Sequence, residues 1–280
     1  MRSVEAEAVA RAVADLYVRA NLAPGEGVAE LLKSAAAAEE PGLPKRTLQS
    51  LLENVRVAAQ ERLPLCQDTG AAVVFVTIGE EVRVKGGSLS EAIAEGISRA
   101  CEYGRLRPSV VSDPLRRTNT GDNTPPFIHY ELVPGDSLVI RVAPKGGGAE
   151  NTSALSMLVP GEGVEGVKRF VVDTVKAAGP NACPPTVVGV GIGGTFDVVA
   201  LLAKRAATRD VRRRHPDPFY AALEEELLGL INATGVGPEG FGGRATSLAV
   251  NVEVAPCHIA TLPVAVNVNC HATRYAEARL

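Results

Sequence analysis

The run Gly189-Val190-Gly191-Ile192-Gly193-Gly194 decides the fold class of this chain. It lies between an apolar stretch that reads as a strand, Thr186–Val190, and one that reads as a helix, Thr195–Ala207. The spacing matches the G-x-G-x-x-G pattern that opens a dinucleotide-binding unit. Such a unit needs a parallel strand after the helix and an acid about 20 residues past the motif. The helix instead runs into Thr208-Arg209-Asp210-Val211-Arg212-Arg213-Arg214-His215-Pro216, polar and basic with no apolar strand. A doubly wound nucleotide fold is therefore disfavoured, and nicotinamide binding with it. The glycines read better as a tight turn that brings the backbone close to something anionic.

Upstream, the first sixty residues read as helical. Val9, Val13, Leu16, Tyr17 and Ala20 recur at the spacing of one buried helix face. Pro24-Gly25 ends that helix, Glu26 to Glu40 forms another, and Leu48, Leu51, Leu52 and Val55 mark a third after Pro41-Gly42. Ala71–Ile78 is a β-branched run that reads as a strand. Ser88 with Glu91 is a capping box for a helix carrying Leu89, Ile93 and Ile97. Pro108–Pro126 has neither period and reads as a long ordered loop. Phe127–Val133 and Ser137–Val142 flank Pro134-Gly135-Asp136, which predicts an antiparallel hairpin. Downstream come helices at Gly163–Ala178 and Pro218–Asn232 and two late strands, Leu248–Val254 and Leu262–Val268. The expected class is α+β: an N-terminal helical bundle packed on a mixed or antiparallel sheet region with irregular Gly/Pro-rich loops. No internal repeat is legible.

Composition narrows the function. The chain has 280 residues, 46% hydrophobic and 22% charged, which excludes a disordered or fibrous protein. Lys and Arg total 29 against 32 Asp and Glu, a net charge of -3, so there is no electrostatic footprint for nucleic acid. Apolar runs such as Ala71–Ile78 are far too short to span a membrane, and Met1 opens a charged amphipathic segment rather than a signal peptide. The expectation is a soluble cytoplasmic protein with neither nucleic-acid nor membrane partners. Five cysteines, at 66, 101, 183, 257 and 270, form no CxxC pair and no disulfide scaffold. They are either inert buried thiols or ligands that folding gathers.

Cys101 comes one helical turn after Ile97, the usual place of a small buried hydrophobe. Cys66, Cys183 and Cys270 instead stand at loop–strand junctions with polar or proline neighbours, where a thiolate can face a cavity. Cys257, between Pro256 and His258, is ambiguous. Their separations carry no local metal signature. Lys145-Gly146-Gly147-Gly148 lacks the ending of a phosphate loop; it reads either as a nest of N–H groups for a carboxylate or as a flexible strand exit. Asp68, taken alone, reads as a turn or cap residue. His129 and His215 read as a strand-surface and a loop residue.

Seven segments in order make the chain recognisable. They are Pro64–Gly70 around Cys66, Asn119–Pro125, Lys145–Asn151, Gly179–Pro185 around Cys183, Gly191–Asp197, Gly237–Gly243, and His258–Ala272 with Cys270. Together they resemble the α-subunit, or N-terminal domain, of the class I iron–sulfur fumarate hydratase and L-tartrate dehydratase family. The resemblance covers roughly the whole chain and implies one family domain over 1–280, with a helical subregion 1–62 and a cluster- and substrate-binding region 63–280. It implies Cys66, Cys183 and Cys270 as ligands of a [4Fe–4S] cluster with one iron lacking a protein ligand. It also implies Asp68 as the acid that exchanges a proton with the departing hydroxyl. Arg107, Gln67, Gly146, Gly147 and His258 would bind a small dicarboxylate, and His271 would lie close behind the cluster ligands.

The reaction implied is reversible hydration of a C4 dicarboxylate, malate to fumarate, with L-tartrate dehydration as the alternative. In single-chain relatives a second domain carries the remaining catalytic groups. Its absence here implies activity only with a β-subunit, in an α2β2 assembly, and allows an α–α homodimer. Two other classes remain: a cluster-bearing protein without catalysis, which need not keep Asp68 or the glycine run, and the disfavoured nicotinamide enzyme.

Overall fold

A computed structural model describes residues 2–280; Met1, the opening residue of the predicted amphipathic segment and of the 1–280 domain, lies outside them. In chain order the elements are β1 (Arg2–Glu5), α1 (Ala6–Leu22), α2 (Val28–Ala38), α3 (Leu43–Glu61), β2 (Ala71–Gly79), β3 (Val82–Lys85) and α4 (Leu89–Tyr103). Then come β4 (Phe127–Val133), β5 (Leu138–Lys145), α5 (Gly147–Glu150), β6 (Ala154–Leu158), α6 (Gly163–Ala178) and β7 (Thr186–Gly193). The last are α7 (Phe196–Ala207), α8 (Pro218–Asn232), β8 (Ser247–Ala255), β9 (Leu262–Asn269) and β10 (Ala276–Arg279). The fold class is α+β. The capping box forms as read: Ser88 Oγ accepts from Glu91 N–H at 3.1 Å.

The chain divides into two compact units made of interleaved segments. The first comprises 1–24, 57–147 and 274–280; the second comprises 25–56 and 148–273. The helices of the first sixty residues share their apolar faces between two cores accordingly. In the first unit, Val9, Val13, Leu16 and Tyr17 of α1 pack with Ile93 and Ile97 of α4 on Val74, Val76, Ile140 and Val142 of the sheet. In the second, Val28 and Leu32 of α2 and Leu48 of α3 pack on Val187, Leu248 and Ala249.

The first unit's main sheet has the strand order β10-β5-β2-β4, with β1 and β3 as a separate parallel pair. The predicted hairpin is corrected here, because β4 and β5 do not pair. They lie on opposite sides of β2, parallel and antiparallel to it. The reason is the apolar strand Ala71–Gly79, which buries both faces best in the middle of a sheet and so separates the two. The turn at Pro134–Asp136 wraps the end of β2 instead, with Gly79 N–H donating to Ser137 O at 2.7 Å and Glu81 N–H to Gly135 O at 3.0 Å. A Cβ on Gly79 would lie 2.1 Å from the Gly135 oxygen, so no other residue fits there.

The second unit's sheet, β6-β9-β7-β8, repeats this topology. β7 is central, β8 is parallel to it, β9 antiparallel on the other side, and β6 antiparallel outside. Gly193 at the end of β7 matches Gly79: a Cβ there would meet Ala255 O at 2.0 Å. The repeat that no sequence similarity betrays is present in strand order and direction, although the outer strand comes last in the first unit and first in the second. The parallel strand missing directly after α7 is supplied later, by β8 after α8. The glycines at 189 and 191 let α7 lie directly on β7, with Cβ positions 2.2 Å from Ala203 O and 2.3 Å from Val199 O. Their close neighbour is a helix backbone.

One buried ion pair ties the second unit together. Glu224 of α8 is fully buried and pairs with Arg209, just beyond α7. Glu224 also accepts from Val252 N–H at 2.9 Å and His215 N–H at 3.1 Å, while Arg209 donates to Val252 O at 2.9 Å. Arg209→Ala leaves that carboxylate buried without its cation, which costs about 3–5 kcal/mol. Urea denaturation is expected to show this loss, and an unchanged midpoint would refute the assignment.

Candidate active site

The first unit builds one group around Asp68. Because β5 runs antiparallel to β2, Ala71 pairs with Lys145, and the turn Cys66–Gly70 meets the glycines that leave β5. Asp68 Oδ1 accepts from Gly70 N–H at 3.0 Å and Oδ2 from Gly147 N–H at 2.8 Å. The turn-residue reading is thus realised, and one N–H of the glycine run meets a carboxylate. The carboxylate that meets Gly147 N–H is Asp68's own. Tyr17 Oη donates to Gly70 O at 2.7 Å, and burial holds its hydroxyl far above the usual tyrosine range. Thr69 Oγ1 donates to Arg107 O at 2.7 Å. Arg107 and Gln67 are exposed and Cys66 is half-buried. Arg107's carbonyl is held further by Asn123 Nδ2 at 3.0 Å, from the long loop.

Two buried cations flank Gly146. Lys145 is 6% exposed and Arg274 3%. Arg274 donates through Nη2 to Asp68 O at 2.8 Å and through Nη1 to Asn21 Oδ1 at 3.0 Å. Sequence reading missed Arg274. Its only signal is its place between Cys270-His271 and β10, which marks nothing by residue type.

In the second unit, β9 antiparallel to β7 sets Asn269 beside Val187. Cys183 and Cys270 therefore come to the same end of the sheet. His271 fastens them: its N–H donates to Cys183 O at 3.1 Å, and its Nδ1 lies 3.1 Å from that oxygen and 2.9 Å from Glu239 Oε1. Cys183 has φ 49° and an exposed thiol; Cys270 is half-buried.

His258 stands elsewhere. It sits in the exposed turn 256–261 after Ala255, which pairs with Gly193 at the far end of β7. At ~3.3 Å per residue, the run from Thr186 to Gly193 is about 23 Å long, so His258 and the Cys183–Cys270 pair occupy opposite ends of one sheet. Cys257 is exposed in the same turn, its Sγ 3.3 Å from Thr261 O. Cys101 is 7% exposed, and burial pushes its thiol up to about 11, as expected for a core residue. His129 stacks on Phe75 and His215 sits in its loop, as read. None of the five cysteines is in a disulfide. Among the described residues no three His, Cys, Asp or Glu side chains are gathered as a metal-binding group, and no helix is long and apolar enough to cross a membrane.

In the first unit a carboxylate seated on backbone N–H groups thus lies beside buried cations. The chain belongs to the fumarate hydratase family, whose model matches residues 10–279, and so to a family of hydro-lyases. It is 43% identical over 275 residues to a Methanocaldococcus jannaschii protein provisionally named L(+)-tartrate dehydratase subunit alpha, covering 96% of each chain. It is 34% identical over 259 residues to the Escherichia coli UTI89 L(+)-tartrate dehydratase subunit alpha, covering 91% of this chain and 85% of that one. A Shigella sonnei protein of the same name is 33% identical over 253 residues, covering 89% and 83%.

Proposed function

We propose that this chain is the α-type subunit of a cytoplasmic [4Fe–4S]-dependent hydro-lyase acting on a C4 hydroxydicarboxylate. The observation that carries the reading is Asp68, fixed by Gly70 and Gly147 N–H two residues from the Cys66 thiol, beside two buried cations. The family description favours malate and fumarate; the names of the relatives favour L-tartrate and oxaloacetate. Both reactions remove hydroxide from carbon.

The donor set suits a cluster. Cys66, Cys183 and Cys270 are at least partly accessible and in no disulfide, and thiolate is the ligand iron–sulfur clusters take. These three thiolates would hold a [4Fe–4S] cluster, one iron of which would lack a protein ligand and would supply Lewis-acid chemistry towards a hydroxyl. The chain's own residues do the rest. Asp68 exchanges the proton of the departing hydroxyl. Arg107 pairs with a carboxylate in the bidentate manner its fork allows. Gly146 offers its backbone N–H, Gly147 lies beside it with its N–H shared between Asp68 and substrate, and Gln67 and His258 hydrogen-bond substrate. Lys145 and Arg274 bias the surroundings towards anions.

The base for the carbon-bound proton, in this reading, comes from a β-subunit, as the relatives' subunit names suggest. The assembly is α2β2. We also read the chain as one family domain, since neither unit is a continuous stretch that could be inherited alone. The position of His258 supports α–α pairing. It lies far from its own chain's Cys183 and Cys270, next to Ile259, which is 91% exposed, and joined through the Gly194–Pro256 hydrogen bond to the segment bearing Phe196, 66% exposed.

Anaerobic reconstitution with iron and sulfide tests the function, with and without a β-type chain, on L-malate and L-tartrate. Turnover of one or both acids is expected only with both chains. Activity of the isolated chain contradicts the division of labour, and failure to take up about four irons removes the mechanism.

A further inference from the structure

Arg274 has a place that core packing alone does not explain. It is a permanent cation, 3% exposed, and among the described residues no carboxylate pairs with it. Both hydrogen-bond acceptors it does have, Asp68 O and Asn21 Oδ1, are neutral, and its buried Nε has no partner. Burying a guanidinium among neutral partners is unfavourable, and a neutral donor would satisfy both oxygens at less cost. Its neighbours say what it acts on. A Cβ on Gly146 would lie 3.2 Å from Asp68 Oδ2 and 3.8 Å from Arg274 Nη2, so the guanidinium, Asp68 and the glycine turn form one packed group. Strand β10, which begins two residues after Arg274, pairs with β5, the strand that ends in Lys145.

We propose that Arg274 is a positioning residue of the reaction: it grips the Asp68 carbonyl so that the carboxylate stays aligned on Gly70 and Gly147 N–H for proton exchange. It joins α1, the Cys66–Gly70 turn and the C-terminal segment through one rigid fork. Lysine keeps the charge but has a single compact ammonium, which cannot span Asp68 O and Asn21 Oδ1 in the same way. This inference rests on the hydro-lyase reading and on Asp68 as its acid.

The test is a double-mutant cycle in the assembled, cluster-loaded enzyme, with R274Q, R274K, D68N and R274Q/D68N. Circular dichroism and iron content establish that each variant is folded and loaded. R274Q is expected to lower kcat tenfold or more while KM stays within about threefold, the pattern of a group felt mainly in the transition state. R274K is expected to recover part of the loss. On the D68N background R274Q is expected to cost little further, because its effect passes through Asp68. Equal losses in both backgrounds, or a rise in KM without a fall in kcat, overturn the proposal. Should R274Q not fold, the same cycle with R274K and N21A decides between the same outcomes. A wild-type enzyme inactive on both acids would instead sink the hydro-lyase reading, which is a different result.

Discussion

Hybrid dimers that pair a His258→Ala chain with a Cys183→Ser chain, each inactive by itself, are expected to recover about half of wild-type activity. Cys183 and Cys270 end at one edge of the β7–β9 pair, whereas His258 comes after β8 at the other, about 23 Å away along the strands. A C4 acid is far shorter than that. If His258 serves substrate, the His258 of a second copy must therefore reach the site. In a two-fold dimer the hybrid then holds one intact site, with Cys183 from one copy and His258 from the other, and one doubly damaged site. Were both residues to act within one chain, every hybrid site would lack one group and nothing would be recovered. Differently tagged chains, co-expressed with the β-type subunit and purified through both tags, isolate the hybrid. Full activity of the His258→Ala enzyme alone would remove His258 from the site; two inactive parents without recovery would remove the exchange between copies.

The cysteine series carries the other large effect. Serine at Cys66, Cys183 or Cys270 is expected to abolish iron and sulfide retention and lower kcat more than a thousandfold. Serine at Cys101 or Cys257 should leave the iron content unchanged. The physical contrast lies in thiolate availability. Cys101 sits on α4 with its thiol pushed up to about 11 by burial, so ionising it to bind iron is unfavourable. The other three stand in loops beside strands, at least partly accessible. Iron analysis and visible absorption under anaerobic conditions read the outcome, and a cluster retained by the Cys270→Ser protein would end the three-thiolate assignment.

Local order was largely legible. Helices such as Gly163–Ala178 and Pro218–Asn232 stand where periodicity and end signals put them, since both act within a turn or two. The strands β2, β7, β8 and β9 were readable from their β-branched runs. The short β1, β3, β6 and β10 were not, because strands of four or five residues show little pattern. The hairpin around Pro134-Gly135-Asp136 failed for a different reason. A tight turn specifies only that the chain reverses; which strand fills the space beside it is settled by long-range pairing, and β2 is the more apolar partner.

The same boundary runs through the site. From residue type and close neighbours came the α+β class, the core role of Cys101 and Asp68 as a turn residue. The family, and Asp68 as the candidate acid, came from the resemblance carried by seven ordered segments. Only the tertiary structure decided that Gly189 and Gly191 lie against the backbone of a helix, that Asp68 accepts from Gly147 N–H, and that His258 stands apart from Cys183. It also revealed Arg274, which reaches Asp68 across 206 residues of sequence. The reason is physical: strand order and direction determine which loop ends meet, and these depend on burial summed over a whole sheet, which no local pattern encodes.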